Sequence, residues 1–292
     1  MRMITVRRRR MMWLTVLVGL WAASGASCPQ LVPQYTAPLP RVLPPSPSLE
    51  QVIQAVNNNS TQIQSFTAMR ATLSSPGVPT LRAVVAFERP RRFRLRAEHA
   101  LTGPEIDVGS NDELFWFWVR RNEPPALYFA RHQQFATSPA RQTIPIDPEW
   151  LIEALGLAQF DPSLPHQGPY PAGSDRVMIR TLRETPQGVQ TKVTVVDAAH
   201  GFVVQQALYD SRGQLLASAE ESQPYRDPLT ARIMPTVIVI HSPPAQLTMQ
   251  LNLGPVEINR PGSTTPSYWT APSLPDTPVI DLCDPRLRLP QR

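Results

Sequence analysis

Four consecutive aromatic rings, Phe115-Trp116-Phe117-Trp118, and three arginines at alternate positions, Arg92, Arg94 and Arg96, are the side chains with most chemistry to offer here. In an extended segment the rings project alternately to both faces, so neither face can meet water freely; burying each ring is worth about 2–3 kcal/mol. One face must meet a core or a helix. The other either lines an apolar cavity able to hold a ligand or packs in its turn. The alternate arginines share the polar face of a second strand, where they meet acidic neighbours, lipid headgroups or solvent. Arg89 differs, because it precedes Pro90 at a turn. The five histidines (His99, His132, His166, His200, His241) are scattered, with no HExxH pair, no GxSxG elbow, no glycine loop for phosphate and no CxxC. The expectation is a binding protein rather than an enzyme, with no catalytic residue, no metal ligand and no cofactor, although a Ser/His/acid set assembled only in space leaves no such trace.

A separate chemistry sits at Cys28. Arg7 to Arg10 form a basic cluster, Met11 to Trp21 an apolar run short for a membrane span, and Ala22 to Ser27 a small-residue stretch, the layout of a bacterial export signal. Gly25-Ala26-Ser27-Cys28 is similar to a lipobox, at which a cysteine thiol is diacylated and the leader removed, with Gly25 where a large aliphatic residue is usual. Cys28 is therefore the lipidation candidate; cleavage near Ser27 without acylation and an uncleaved anchor are the other outcomes. Cys283 is then a lone thiol, or, in an oxidising compartment, a disulfide partner for an unacylated Cys28.

A formal charge of +5 and a pI near 9.7 invite a nucleic-acid reading. Residues 1–27, however, hold five of the 28 basic side chains and none of the 23 acidic ones, so the rest of the chain carries 23 of each. Without a net positive field, counterion release has little to drive, and no nucleic-acid partner is expected.

The elements that must position these residues are mostly strands. Seven prolines between Pro29 and Pro47 make residues 28–47 an extended tether after the signal peptide of residues 1–27. A helix opens at Ser48 and Gln51, which have capping-box spacing, continues through Leu49, Val52, Ile53 and Val56, and is stopped by Asn57 to Ser60. Leu81 to Glu88 and Arg92 to Ala97 alternate as a hairpin around Pro90; Leu114 to Val119 and Ala126 to Ala130 form a second pair. Asp147, Pro148 and Leu151 to Gly156 signal a second helix. Strands follow at 177–182, 189–196, 202–209, 215–220, 237–240 and 247–253, the last with Leu247, Met249, Leu251 and Leu253 on one face. The fold class is mainly β with some helix (α+β): a large, twisted antiparallel sheet with helices from two places packed on it. Residues 48–261 form this domain, and 262–292 a proline-rich tail, poorly ordered beyond about Ala271.

Phe87-Glu88-Arg89-Pro90-Arg91-Arg92-Phe93-Arg94, then Val108-Gly109-Ser110-Asn111-Asp112-Glu113-Leu114-Phe115-Trp116, and Met234-Pro235 before a late strand, together resemble the LolA/LolB-like outer-membrane lipoprotein carriers and receptors over about Ser48 to Pro261. The family's Asp-Gly is Asp112-Glu113 here, and the receptor's exposed apolar loop has no clear counterpart in the sequence. The resemblance implies an antiparallel sheet curled into an unclosed barrel, helices covering its concave face, and an apolar interior that shelters the acyl chains of lipids or lipoproteins. It implies no cofactor, a monomer, and a position in the bacterial envelope, lipid-anchored through Cys28 and facing the periplasm from the outer membrane. The cavity candidates are Trp116, Trp118, Phe93, Leu95, Leu251 and Met249, and Arg89 takes the family's lid-holding and transfer position. The competing expectation is a structural or interaction domain of the envelope with a filled core.

Overall fold

Helix α1 (Leu49–Ser60) begins at the expected capping box: Gln51 N–H donates to Ser48 Oγ at 3.2 Å, and Ser48 N–H to Gln51 Oε1 at 2.9 Å. These contacts come from a computed structural model that describes residues 39–138, 140–144 and 147–287, all within the compact unit Pro38–Arg292. Cys28, the signal segment and most of the tether lie outside the described residues. The helix does not stop at Asn57 but runs to Ser60, because Asn57 and Asn59 bond to distant backbone groups instead of competing for their own.

Six strands follow: β1 (Ser65–Ser75), β2 (Val78–Glu88), β3 (Arg92–His99), β4 (Gly103–Ser110), β5 (Leu114–Val119) and β6 (Leu127–Arg131). Three short helices come next, α2 (His132–Phe135), α3 (Ala140–Thr143) and α4 (Pro148–Ile152), the last running into a π-helical turn, Glu153–Leu157. The second strand series is β7 (His166–Pro171), β8 (Arg176–Thr185), β9 (Gly188–Asp197), β10 (Val203–Tyr209), β11 (Leu215–Arg226), β12 (Ile233–Ser242) and β13 (Leu247–Asn252). β14 (Glu257–Ile258) pairs with β1, and β15 (Val279–Asp281) with β6. Pairing of β1 with β13 joins the two series into one sheet, β15-β6-β5-β4-β3-β2-β1-β13-β12-β11-β10-β9-β8-β7, which is not closed into a barrel. Every pairing is antiparallel except β15 with β6.

Register assigns the faces. Leu95 lies opposite Val85 and Val108, and Val108 opposite Phe117, so these side chains share one face. That face carries the main core: Phe66, Phe87, Phe93, Leu95, Ile238, Ile240, Leu251 and Leu253 pack with Trp150, Ile152, Leu155 and Leu157 of the helical segment. Val52 and Val56 of α1 cluster separately with Ile179, Val196, Val203 and Phe160.

The tail corrects one expectation. Beyond Ala271, where proline content predicts little order, Val279, Ile280 and Asp281 pair with Leu127, Tyr128 and Phe129, and Leu282 is buried against Phe115, Tyr128 and Phe135. A free β6 edge supplies the backbone partners that this short apolar stretch lacks on its own.

Candidate functional site

The aromatic run divides between the two faces as strand geometry requires, and Trp116 points away from the main core. It lies opposite Gly109, which lies opposite Arg94. Gly109 leaves room for the indole to cross its strand, since a Cβ there would come within 2.2 Å of the Trp116 ring. The indole is 0% exposed, and its Nε1 donates to Asp107 Oδ1 at 3.0 Å. Arg94 Nη2 donates to Asp107 Oδ2 at 2.6 Å, and its guanidinium carbon sits 5.2 Å from the indole centroid. Arg94 Nη1 donates to the carbonyls of Tyr268 and Thr270, so a 3₁₀ turn, Pro266–Trp269, covers the group. Asn111 Nδ2 holds the same turn through Trp269 O at 3.1 Å. Of the three alternate arginines, Arg94 is thus buried with a matched charge. Arg92 bonds Glu88 at 2.6 Å and Asp112 at 2.6 Å, and Arg96 remains largely in solvent. Hydrogen bonding from Arg92 holds the Asp112 carboxyl below its ordinary pKa.

The six cavity candidates are therefore not one set. Phe93, Leu95 and Leu251 are buried in the main core, with Met249 packed against them. Trp116 lies on the opposite face as the floor of the Arg94 box, and half-buried Trp118 lies beside it, opposite Asp107. The correction follows from strand parity, since residues at even offsets from Trp116 cannot join residues cross-paired with Phe117.

Arg89 stands where the helices meet. Its Nε donates to Ile63 O at 2.9 Å and its Nη2 to Ser60 O, at the C-terminal end of α1. With its amide oxygen turned inward, Gln159 accepts from both Nη atoms, at 2.6 and 2.8 Å. Burial lowers the Arg89 pKa from its ordinary value. Asn57 adds a reciprocal pair, Nδ2 to Phe160 O and Phe160 N–H to Oδ1, both at 2.9 Å; Asn59 makes the same pair with Ile233, both bonds at 2.8 Å. The π-helical turn approaches β12 at Gly156, whose φ is +89°. Beneath this turn Gln206 Nε2 donates to Glu153 O at 3.1 Å and to Glu221 Oε1 at 2.7 Å. Burial pushes the Glu221 carboxyl up to about 8. Gln206 and Glu221 carry no local sequence signal, and Asn57 and Asn59 read in the sequence only as helix breakers.

Among the described residues there is one serine–histidine contact: Ser110 Oγ lies 3.2 Å from His132 Nε2, which is also 3.0 Å from Asn111 O. Ser110 is buried and, among the described residues, no carboxylate bonds the ring. Burial lowers the His132 pKa. An apolar side chain that the sequence did not single out, Leu101, stands 90% exposed at the β3–β4 turn.

No family profile matches the sequence, and no curated protein matches it. Solved structures similar to it include a LolA superfamily protein from Nitrosomonas europaea, at 12% identity and a TM-score of 0.47, covering 77% of this chain and 99% of the other. A domain from Vibrio parahaemolyticus, provisionally described as outer membrane lipoprotein-sorting, matches at 10% identity and a TM-score of 0.49, over 75% of this chain and 94% of its own. A DUF1329 family protein from Desulfovibrio piger matches at 11% identity and 0.48, with the same coverage. The likeness is one of fold and by itself assigns no role.

Proposed function

We propose that this chain is a lipid-anchored envelope protein facing the periplasm, and that it shelters acyl chains of lipids or lipoproteins between its open sheet and its helical segment. The observation that carries this reading is the single apolar core that Trp150, Ile152, Leu155 and Leu157 of the helical segment share with Phe93, Leu95 and Leu251 of a sheet that is not closed. This apolar seam is held at its margin by a small number of polar bonds from Arg89, Asn57 and Gln206. Parting the segment from the sheet exposes a continuous apolar surface, and an acyl chain recovers about 0.8 kcal/mol for each methylene it buries there. Arg89 acts as the latch. Leu101, presented to water at a hairpin tip, supplies the exposed apolar loop that the sequence had not revealed.

A filled envelope interaction domain is favoured by a different observation, the complete burial of Trp116 under the tail, where a cavity had been expected. Intact-mass spectrometry of the chain expressed with its own leader, beside Cys28→Ser, separates the two readings. A diacylglyceryl mass lost in the variant, with acyl species co-purifying with the domain, supports the shelter. An unmodified Cys28 and a domain that takes up no acyl probe leave the interaction domain.

A further inference from the structure

A groove of about 430 Å³ lies where the tether joins the domain, lined by Pro40, Val42, Gln51, His200, Arg226 and Arg232 among others. Among the described residues its walls hold no carboxylate, unlike the grooves beside Arg92, which has Glu88, Asp112 and Glu113, and beside Trp150, which has Asp147, Glu149, Glu153 and Asp161. Three acids adjoin its lining in sequence, and each is engaged: Glu50, beside Gln51, accepts from Gln54 Nε2 at 3.1 Å. Asp227 is buried, 3.0 Å from Arg260 and bonded by Thr230, while Asp197 accepts from the backbone of Ala199 and His200 and lies 2.9 Å from the His200 ring. Arg232 is oriented by backbone oxygens, its Nε donating to Thr230 O and its Nη1 to Asn58 O, both at 3.1 Å. Among the described residues neither Arg226 nor Arg232 has an ion-pair partner.

The same two arginines flank the β11–β12 turn, and at that turn Leu229 is 75% exposed. An apolar side chain held out between two cations suits a bilayer surface: the leucine enters the acyl boundary while the guanidiniums meet phosphates. The position of the chain agrees. Pro40 and Val42 line the groove, Val42 N–H being fixed to Ala199 O at 2.8 Å. The eleven residues 28–38 can span no more than about 40 Å. An anchor at Cys28 therefore keeps this face near the membrane.

We propose that the Arg226–Arg232 groove and the Leu229 tip form a docking surface for an anionic lipid bilayer, an inference that rests on acylation at Cys28 only for its geometry. The chain that processing at Cys28 would leave, carrying Cys28→Ser, is sedimented with phosphatidylcholine vesicles with and without phosphatidylglycerol. Binding is expected to require phosphatidylglycerol and to weaken about 30-fold in R226Q/R232Q. The control R70Q/R82Q, which removes the same charge from exposed positions on β1 and β2, is expected to bind like its parent. Equal weakening by both pairs, or binding indifferent to phosphatidylglycerol, overturns the proposal. So does Arg226-dependent binding of inorganic phosphate without vesicle binding, which would make the groove a site for a free anion. Uptake of a fluorescent acyl probe by the same samples keeps the two readings apart. In the parent chain, absence of vesicle binding with uptake intact sinks the docking surface alone, and vesicle binding without uptake sinks the acyl shelter alone.

Discussion

Gly156 and Pro235 are in closer contact than any residue with a side chain at position 156 would allow: a Cβ there would fall 2.2 Å from Pro235 Cδ. Because Gly156 also has a φ of +89°, the π-helical turn and β12 meet at a point that needs glycine twice over. Gly156→Ala is expected to lose about 2 kcal/mol or more in urea unfolding, combining left-handed strain of about 1–2 kcal/mol with the clash. Adding Pro235→Ala should relieve the clash but not the left-handed strain. A Gly156→Ala protein as stable as its parent would show that the turn does not seat on β12.

The Arg94–Asp107–Trp116 group is expected to behave as a buried ion pair. Arg94→Leu leaves the buried Asp107 carboxylate with only the solvent-exposed Arg96, 3.8 Å away, and should cost about 3 kcal/mol. The double variant R94L/D107L should be less destabilised than R94L, because no uncompensated charge remains. Additive losses in that cycle would rule out the coupling.

The buried Glu221 gives stability a pH dependence of definite sign. Its pKa is raised to about 8 in the folded protein, above the ordinary carboxylate value of 4.5, so between these values the folded state holds a proton that the unfolded state has released. Stability contributed by this group therefore falls as pH rises from about 4.5 to about 8, and is level outside that window. Thermal melts of Glu221→Gln should lack this decline and exceed the parent at pH 8. Parallel pH curves for the two proteins would mean that the carboxyl is not buried as described.

Arg89 is expected to latch the helices through the shape of its guanidinium, since it reaches Ser60, Ile63 and Gln159 in different directions. Arg89→Lys keeps the charge but should still speed amide exchange at the end of α1 and at Phe160 about tenfold or more, consistent with losing charged hydrogen bonds worth about 1.5–3 kcal/mol. Exchange unchanged in both Arg89→Lys and Arg89→Ala would remove the latch.

A chain ending at Gly262 lacks the turn over Arg94 and the β15 strand. Compared with full-length Trp269→Phe, which carries the same tryptophans, its emission should shift to the red, with the shift absent when Trp116→Phe is added to both. No shift would place the cover on Trp116 elsewhere than Pro266–Trp269.

Local signals were legible where they act locally. The capping box at Ser48 and Gln51 and the alternation of β2 and β3 are complete within a few residues of sequence, and the structure reproduces them. The expected Asp147 N-cap is at its position with Pro148 behind it, but its carboxylate bonds Arg141 at 2.7 Å instead of the helix. β1 was missed because its pairing with β2 shifts between Ala68 and Ala71, which breaks the period-2 pattern; β4 was missed because Glu105 and Asp107 are buried against arginines. The face of Trp116 depends on register across four strands, and its cover on residues more than 150 positions away, so composition alone could not separate a cavity wall from a packed floor.

The cover over Arg94 also sets an order of events during synthesis. β3, β4 and β5 leave the ribosome long before Tyr268 and Thr270, whose carbonyls receive the Arg94 guanidinium. Until Tyr268 and Thr270 arrive, that guanidinium is hydrated and the Trp116 indole lacks its roof. The nascent sheet thus cannot finish one of its faces early; it waits for the carboxyl-terminal residues to set the final stone.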